Sequence, residues 1–223
     1  MFIVIEAVIN CQQLDVCMRA CEIELAVFDY GGVLAEEGFM AGLNAMADRA
    51  GLDRDFVFQS AREVILSTGY LTGQGSEEVF WDQFKAATGI KGSPNGLRQD
   101  ILSRFQLRPW MLELMQKLQT LGVGRIILSD QVNWLDELEA RDSFFRYFDQ
   151  VFNSYHLGKS KNDASLFDDL LKWTGVQAHR AVFVDDHLPH VERAISRGIN
   201  GIYYTGRDDF LKRFAGFCPG IED

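Results

Sequence analysis

Positive charge is in deficit in this chain. Across 223 residues, 22 Lys and Arg stand against 32 Asp and Glu, for a formal net charge of −10. Nucleic acid and anionic membrane both demand a basic face, so neither is expected as a partner. Long apolar runs are missing as well. The opening stretch, residues 1–9, is short, is interrupted by Glu6 and has no basic residue before Arg19, which fits neither a secretory signal nor a membrane span. Cysteine is scarce: Cys11, Cys17, Cys21 and Cys218 contain no C-x-x-C pair. That argues against a metal cluster or a disulfide framework and predicts reduced, structural thiols in a cytoplasmic protein. No P-loop occurs, and Gly122-Val123-Gly124 precedes a strand instead of following one and lacks a third glycine, so it is no dinucleotide loop. Internal repeats and low-complexity segments are absent, and no feature specifies an oligomer.

What the chain does have is an ordinary globular composition, 47% apolar and 24% charged, in a length sufficient for one full core plus an insertion. Its focus is Ala26-Val27-Phe28-Asp29-Tyr30-Gly31-Gly32. An apolar run over 23–28 predicts a buried strand, with a carboxylate at its carboxyl end and two glycines where the backbone turns. The same design recurs in Ile126-Ile127-Leu128-Ser129-Asp130 and in Ala181-Val182-Phe183-Val184-Asp185-Asp186. A shorter run, 150–153, precedes Lys159 and Lys161. Strands alternate with helical patterns over 109–121, 165–173 and 187–197, and a last strand is expected at 201–204. The fold class is therefore α/β, a doubly wound parallel sheet. In such a sheet the polar ends of the strands meet in one crevice, where ligands bind. Carboxylates crowded there repel one another, and a divalent cation is their natural partner.

Almost a hundred residues separate Asp29 from Arg125, far more than a parallel crossover needs, which predicts an inserted subdomain. Its contents look helical: 40–50 closed by Gly51, 56–66 closed by Gly69, and 77–87 closed by Gly89 with Ser76 as N-cap. Phe80, Trp81 and Phe84 share one face and are expected to form the insertion's own core. The aromatic run 144–148 is expected to be a helix end packed on the sheet. The resulting division is an extension over 1–22, a core from 23–34 and 108–223, and a helical insertion over 35–107.

At these motifs the chain resembles the haloacid dehalogenase superfamily of hydrolases: an Asp after the first strand, a Ser after the second, a downstream Lys and an acidic pair after the fourth, in order over roughly 23–205. The resemblance implies a Rossmann-like core with an α-helical cap, and a magnesium-dependent phosphatase acting on a small phosphorylated metabolite. It implies Asp29 as nucleophile, and Mg²⁺ held by Asp29, the Gly31 carbonyl and Asp186, with Asp185 supporting from behind. Ser129 and Asp130 would meet the substrate, and Lys161 would neutralise phosphoryl charge. Leu157-Gly158-Lys159-Ser160-Lys161-Asn162 follows the family's Leu-Gly-x-x-Lys-Pro pattern with Asn162 in the proline position, which favours Lys161 over Lys159.

Three residues depart from the pattern. Gly31 stands where phosphatases of the family carry a second Asp as general acid and base, a role left to Glu36, Glu37 or an acid of the insertion. His190 stands where Asn or Asp is common, and either orients Asp186, titrates near neutrality or lies exposed on a helix. Asp130 stands where Asn is frequent and adds negative charge. Two other functions fit the same residues: haloacid dehalogenation, which needs no second Asp, and metabolite binding with little turnover.

Overall fold

The computed structural model describes residues 21–221. The extension expected over 1–22 falls almost wholly outside them, as do Cys11 and Cys17. In chain order the elements are β1 (Leu25–Phe28), α1 (Gly38–Ala50), α2 (Arg54–Ser67), α3 (Glu77–Thr88), α4 (Pro94–Leu102), α5 (Pro109–Thr120), β2 (Gly124–Ser129) and α6 (Trp134–Asp142). Then follow β3 (Gln150–Asn153), α7 (Ser154–Leu157), α8 (Ser165–Thr174), β4 (Ala181–Asp185), α9 (Leu188–Ser196), β5 (Asn200–Tyr203) and α10 (Arg207–Phe214). No described helix is long and apolar enough to cross a membrane.

The five strands form one sheet in the order β3-β2-β1-β4-β5, every neighbouring pair parallel. Because strand side chains alternate, β1 feeds two cores. Ala26 and Phe28 join the larger one, while Leu25 and Val27 face the smaller one built with Leu166, Phe167 and Leu170 of α8. Helices thus cover both faces, which is why the strands read as continuous apolar runs. The chain steps outward from β1 to β2 and β3, then returns to β4 on the other side of β1. That reversal opens a crevice above the carboxyl ends of β1 and β4.

Local chemistry sets the helix ends. The side chains of Glu37, Asp53, Ser76 and Ser93 accept the backbone N–H of Met40, Phe56, Val79 and Gly96 at 2.7, 2.8, 3.3 and 3.1 Å, each an N-cap. Gly51 and Gly89 end α1 and α3 in the left-handed conformation, as expected.

Several expectations are corrected. The insertion contains a fourth helix, α4, announced by Ser93-Pro94. The 144–148 run is no helix end but a 3₁₀ turn, Phe145–Tyr147, flanked by Phe144, which stacks on Tyr30 at 4.9 Å. The Phe80-Trp81-Phe84 stripe is not a private core: Trp81 stacks on Trp134 of α6 at 5.9 Å, so the insertion and the sheet domain share one apolar cluster. Cys21 and Cys218 are paired as a disulfide instead of reduced. The fold brings them together where Glu22 N–H donates to the Phe217 carbonyl at 2.7 Å.

Candidate active site

Asp29 follows the last residue of β1, and its backbone N–H continues the ladder to the Val184 carbonyl at 2.9 Å. Its carboxylate is fixed through Oδ1, which accepts the Tyr30 N–H at 2.7 Å and lies 3.0 Å from Lys161 Nζ. The chain then turns through Gly32 at φ +75°, where a β-carbon would run into the Asp186 carboxylate. Only glycine allows the two loops to approach so closely. Arg108 locks this turn from outside: Nη1 donates to the Gly32 and Val33 carbonyls at 2.5 and 2.6 Å, while Nε and Nη2 pair with Glu36.

Lys161 is the buried hub. Its Nζ lies 2.6 Å from Asp185 Oδ2, and its backbone N–H donates to Asp130 Oδ1 at 2.9 Å. Burial alone would depress the Lys161 pKa, but the carboxylates of Asp185, Asp29 and Asp130 outweigh it and raise the value, so the ammonium is retained. Asp185 resists the upward pull of its own burial because Lys161 and His190 hold it down to about 2. Asp29 is pushed up to about 6 by burial, with Lys161 opposing and Asp185 adding to the rise. Asp186 is raised to about 7 by burial together with the charges of Asp29 and Asp185. Burial also raises Asp130.

Asp29, Asp185 and Asp186 each present an oxygen within 4.8 Å of the others. Asp185 is already engaged: Oδ1 accepts the His187 N–H at 2.7 Å, and Oδ2 faces Lys161 and His190. Two carboxylates driven towards protonation, in an oxygen-only donor set, suit a hard divalent cation such as Mg²⁺.

A cavity of about 250 Å³ lies over these groups. Asp29, Gly31, Ser129, Asp130, Lys161 and Asp186 form its polar floor, and Phe39, Phe58, Ile65, Leu66, Leu71 and Trp134 its apolar wall. Glu37, Arg62, His187 and His190 also line it. The structure therefore brings together the residues singled out in the sequence, with Asp185 fully buried beneath them. Lys159 lies apart, paired with Asp169 at 2.5 Å. Of the two acids offered in place of the missing Asp, Glu36 is spent on Arg108 and Glu37 lines the cavity. His190 meets Asp185, its Nδ1 3.3 Å from Oδ2, and that is its hydrogen-bond partner rather than Asp186. Arg62, His187 and Trp134 carried no sequence signal, because each sits in an ordinary helical pattern.

The sheet order, the inserted helices and this crevice match the fold of solved HAD family enzymes, which is the fold that the resemblance implied. A HAD family enzyme of Bacteroides thetaiotaomicron superposes with a TM-score of 0.69 at 19% identity, over 86% of this chain and 98% of that one. A second crystal structure of that enzyme, in complex with magnesium and inorganic phosphate, gives 0.63 at 19% identity, over 83% and 94%. L-2-haloacid dehalogenase from Xanthobacter autotrophicus gives 0.61 at 16% identity, over 90% and 86%. In sequence, the chain is 25% identical over 117 residues to flavin mononucleotide hydrolase 1 of Arabidopsis thaliana. That match takes in 52% of this chain and 48% of the relative, so the chain spans about half of the relative's length. No family model matches the chain.

Proposed function

We propose that this protein is a magnesium-dependent phosphatase of a small phosphorylated metabolite, working through a phosphoryl group carried on Asp29. The observation that carries this reading is the Asp29 carboxylate, oriented through Oδ1 by Tyr30 N–H and Lys161, in one cluster with Asp186 at the floor of the cavity. The magnesium and phosphate in the B. thetaiotaomicron neighbour and the hydrolase named in Arabidopsis point the same way.

Asp29 attacks the phosphorus as the P–O ester bond breaks, the departing alkoxide takes a proton from water, and a water then hydrolyses the acyl phosphate to inorganic phosphate and the free Asp29 carboxylate, so that one difficult step becomes two easier ones. Magnesium, held by Asp29, the Gly31 carbonyl and Asp186, would neutralise charge between the attacking carboxylate and the phosphoryl group. Lys161, fixed by Asp185 and Asp130, places a permanent positive charge beside the reacting oxygens, and Ser129 offers its hydroxyl to one of them. His190 and the His187 N–H hold Asp185, which in turn holds Lys161. Residues 35–107 act as the cap, contributing Phe39, Phe58, Arg62 and Leu71 to the cavity over the core.

Phosphate release from a panel of aryl and alkyl phosphate monoesters, with and without magnesium, tests the proposal. Turnover is expected only with magnesium, and Asp29→Asn is expected to abolish it. Magnesium binding without turnover of any ester would favour a metabolite-binding protein. One observation favours a second reading: Gly31 removes the acid that a phosphatase uses and a dehalogenase does not, and dehalogenases share the fold. Halide release from 2-chloropropionate in the absence of magnesium would establish it.

A further inference from the structure

The cavity wall contributed by the inserted helices is apolar apart from Glu37 near the floor and Arg62. Arg62 makes no hydrogen bond or ion pair with any other described residue, although carboxylates are abundant in the chain. Arg62 stands on α2 of the insertion with Phe58, Ile65 and Leu66, which line the same cavity, whereas the polar floor is built from Asp29, Ser129 and Lys161 of the sheet domain. A guanidinium presents a rigid fork of donors matched to a planar anion, and a single one matches a single negative charge.

We propose that the substrate carries a second anion, of the carboxylate class, on a compact apolar body, and that Arg62 selects it. The inference rests on the phosphatase reading only in taking one end of the ligand to be a phosphoryl group. A volume of about 250 Å³ lies below the roughly 300–1,000 Å³ of sites for drug-sized ligands, which limits the body to about one ring or a branched chain of that size. Polyol phosphates would set hydroxyls against Phe39, Phe58 and Leu71 with no partners for them, a desolvation cost that an apolar body avoids. Because Arg62 is exposed, solvent screens the pairing, and its effect on affinity is expected to be about tenfold, the equivalent of about 1.4 kcal/mol.

Titration calorimetry in magnesium with two non-hydrolysable ligands, benzylphosphonate and 4-(phosphonomethyl)benzoate, reads this directly. The native protein is expected to bind the carboxylated ligand about tenfold more tightly. In Arg62→Gln the ratio falls to near one, and Arg62→Lys, which keeps the charge but loses the fork, lies between. Equal affinities in the native protein, or an Arg62→Gln variant that loses affinity for both ligands alike, would overturn the inference. The corresponding phosphate esters separate the two proposals: a tenfold binding preference without ester hydrolysis removes the phosphatase and keeps Arg62's role, whereas hydrolysis without the preference does the opposite.

Discussion

Asp186 and Asp29 are carboxylates whose proton affinity rises on folding, to about 7 and about 6, chiefly because they are buried. Between the ordinary carboxylate value near 4 and these values, the folded state binds more protons than the unfolded one. Metal-free stability therefore falls as pH rises from about 4 to about 7, by at most about 1.4 kcal/mol per pH step of one for each extra proton that the folded state holds. Asp185 behaves oppositely: its stabilisation is present above the ordinary value and is lost as pH falls through about 2. A divalent cation bound to the ionised forms would cancel the penalty. Thermal unfolding should therefore show EDTA-treated protein less stable at pH 8 than at pH 5, magnesium raising Tm far more at pH 8, and Asp186→Asn flattening both effects. A metal-free Tm indifferent to pH in that range would contradict the arrangement. Asp29 and Lys161 are legible in the sequence because each sits in a short local motif. Arg62 is not, since its significance comes from the absence of a partner among the described residues, which only the packed structure displays.

At the level of elements, the strands are legible because burial on both faces makes each an uninterrupted apolar run, and the glycine-closed helices because capping is local. Ser93-Pro94 is equally a helix start, but Gly96 in the first turn and only Leu97, Ile101 and Leu102 on the buried side blur the pattern of α4. The meeting of Trp81 with Trp134 is hidden for another reason. Periodicity identifies an apolar face but not what it packs against. Both indoles are fully buried, and Phe80 and Tyr70 also pack edge-on against Trp134. Trp81→Ala should cost about 3–5 kcal/mol in urea unfolding. Paired with Trp134→Ala it should show a coupling of about 1 kcal/mol, the share owed to the ring stack. Strictly additive losses would mean that the insertion is held to the sheet elsewhere.

Over the whole molecule, the disulfide is the constraint that sequence reasoning gets wrong. Four scattered cysteines without a C-x-x-C pair give no clue to pairing, and Cys21 and Cys218 lie 197 residues apart. The parallel sheet makes them neighbours: β1 starts at its centre, and α10, which follows the edge strand β5, folds back to place Phe210 and Phe214 against Phe28, both at 6.4 Å. The cross-link therefore ties the lead-in to β1 to the turn that follows α10. Closing so long a loop restricts the unfolded chain strongly, by about 5 kcal/mol in the chain-entropy view. Cys218→Ala and reductant should each lower the unfolding free energy by about that amount, and reductant should have no further effect on the variant. Because neither cysteine lines the cavity, magnesium affinity should stay unchanged. Alkylation before and after reduction, followed by peptide mapping, tests the premise: the Cys21 and Cys218 peptides should emerge linked until reduced. Should both alkylate freely in the native protein under oxidising conditions, the pairing falls, and the sequence-based expectation of two reduced thiols at the seam of the fold stands in its place.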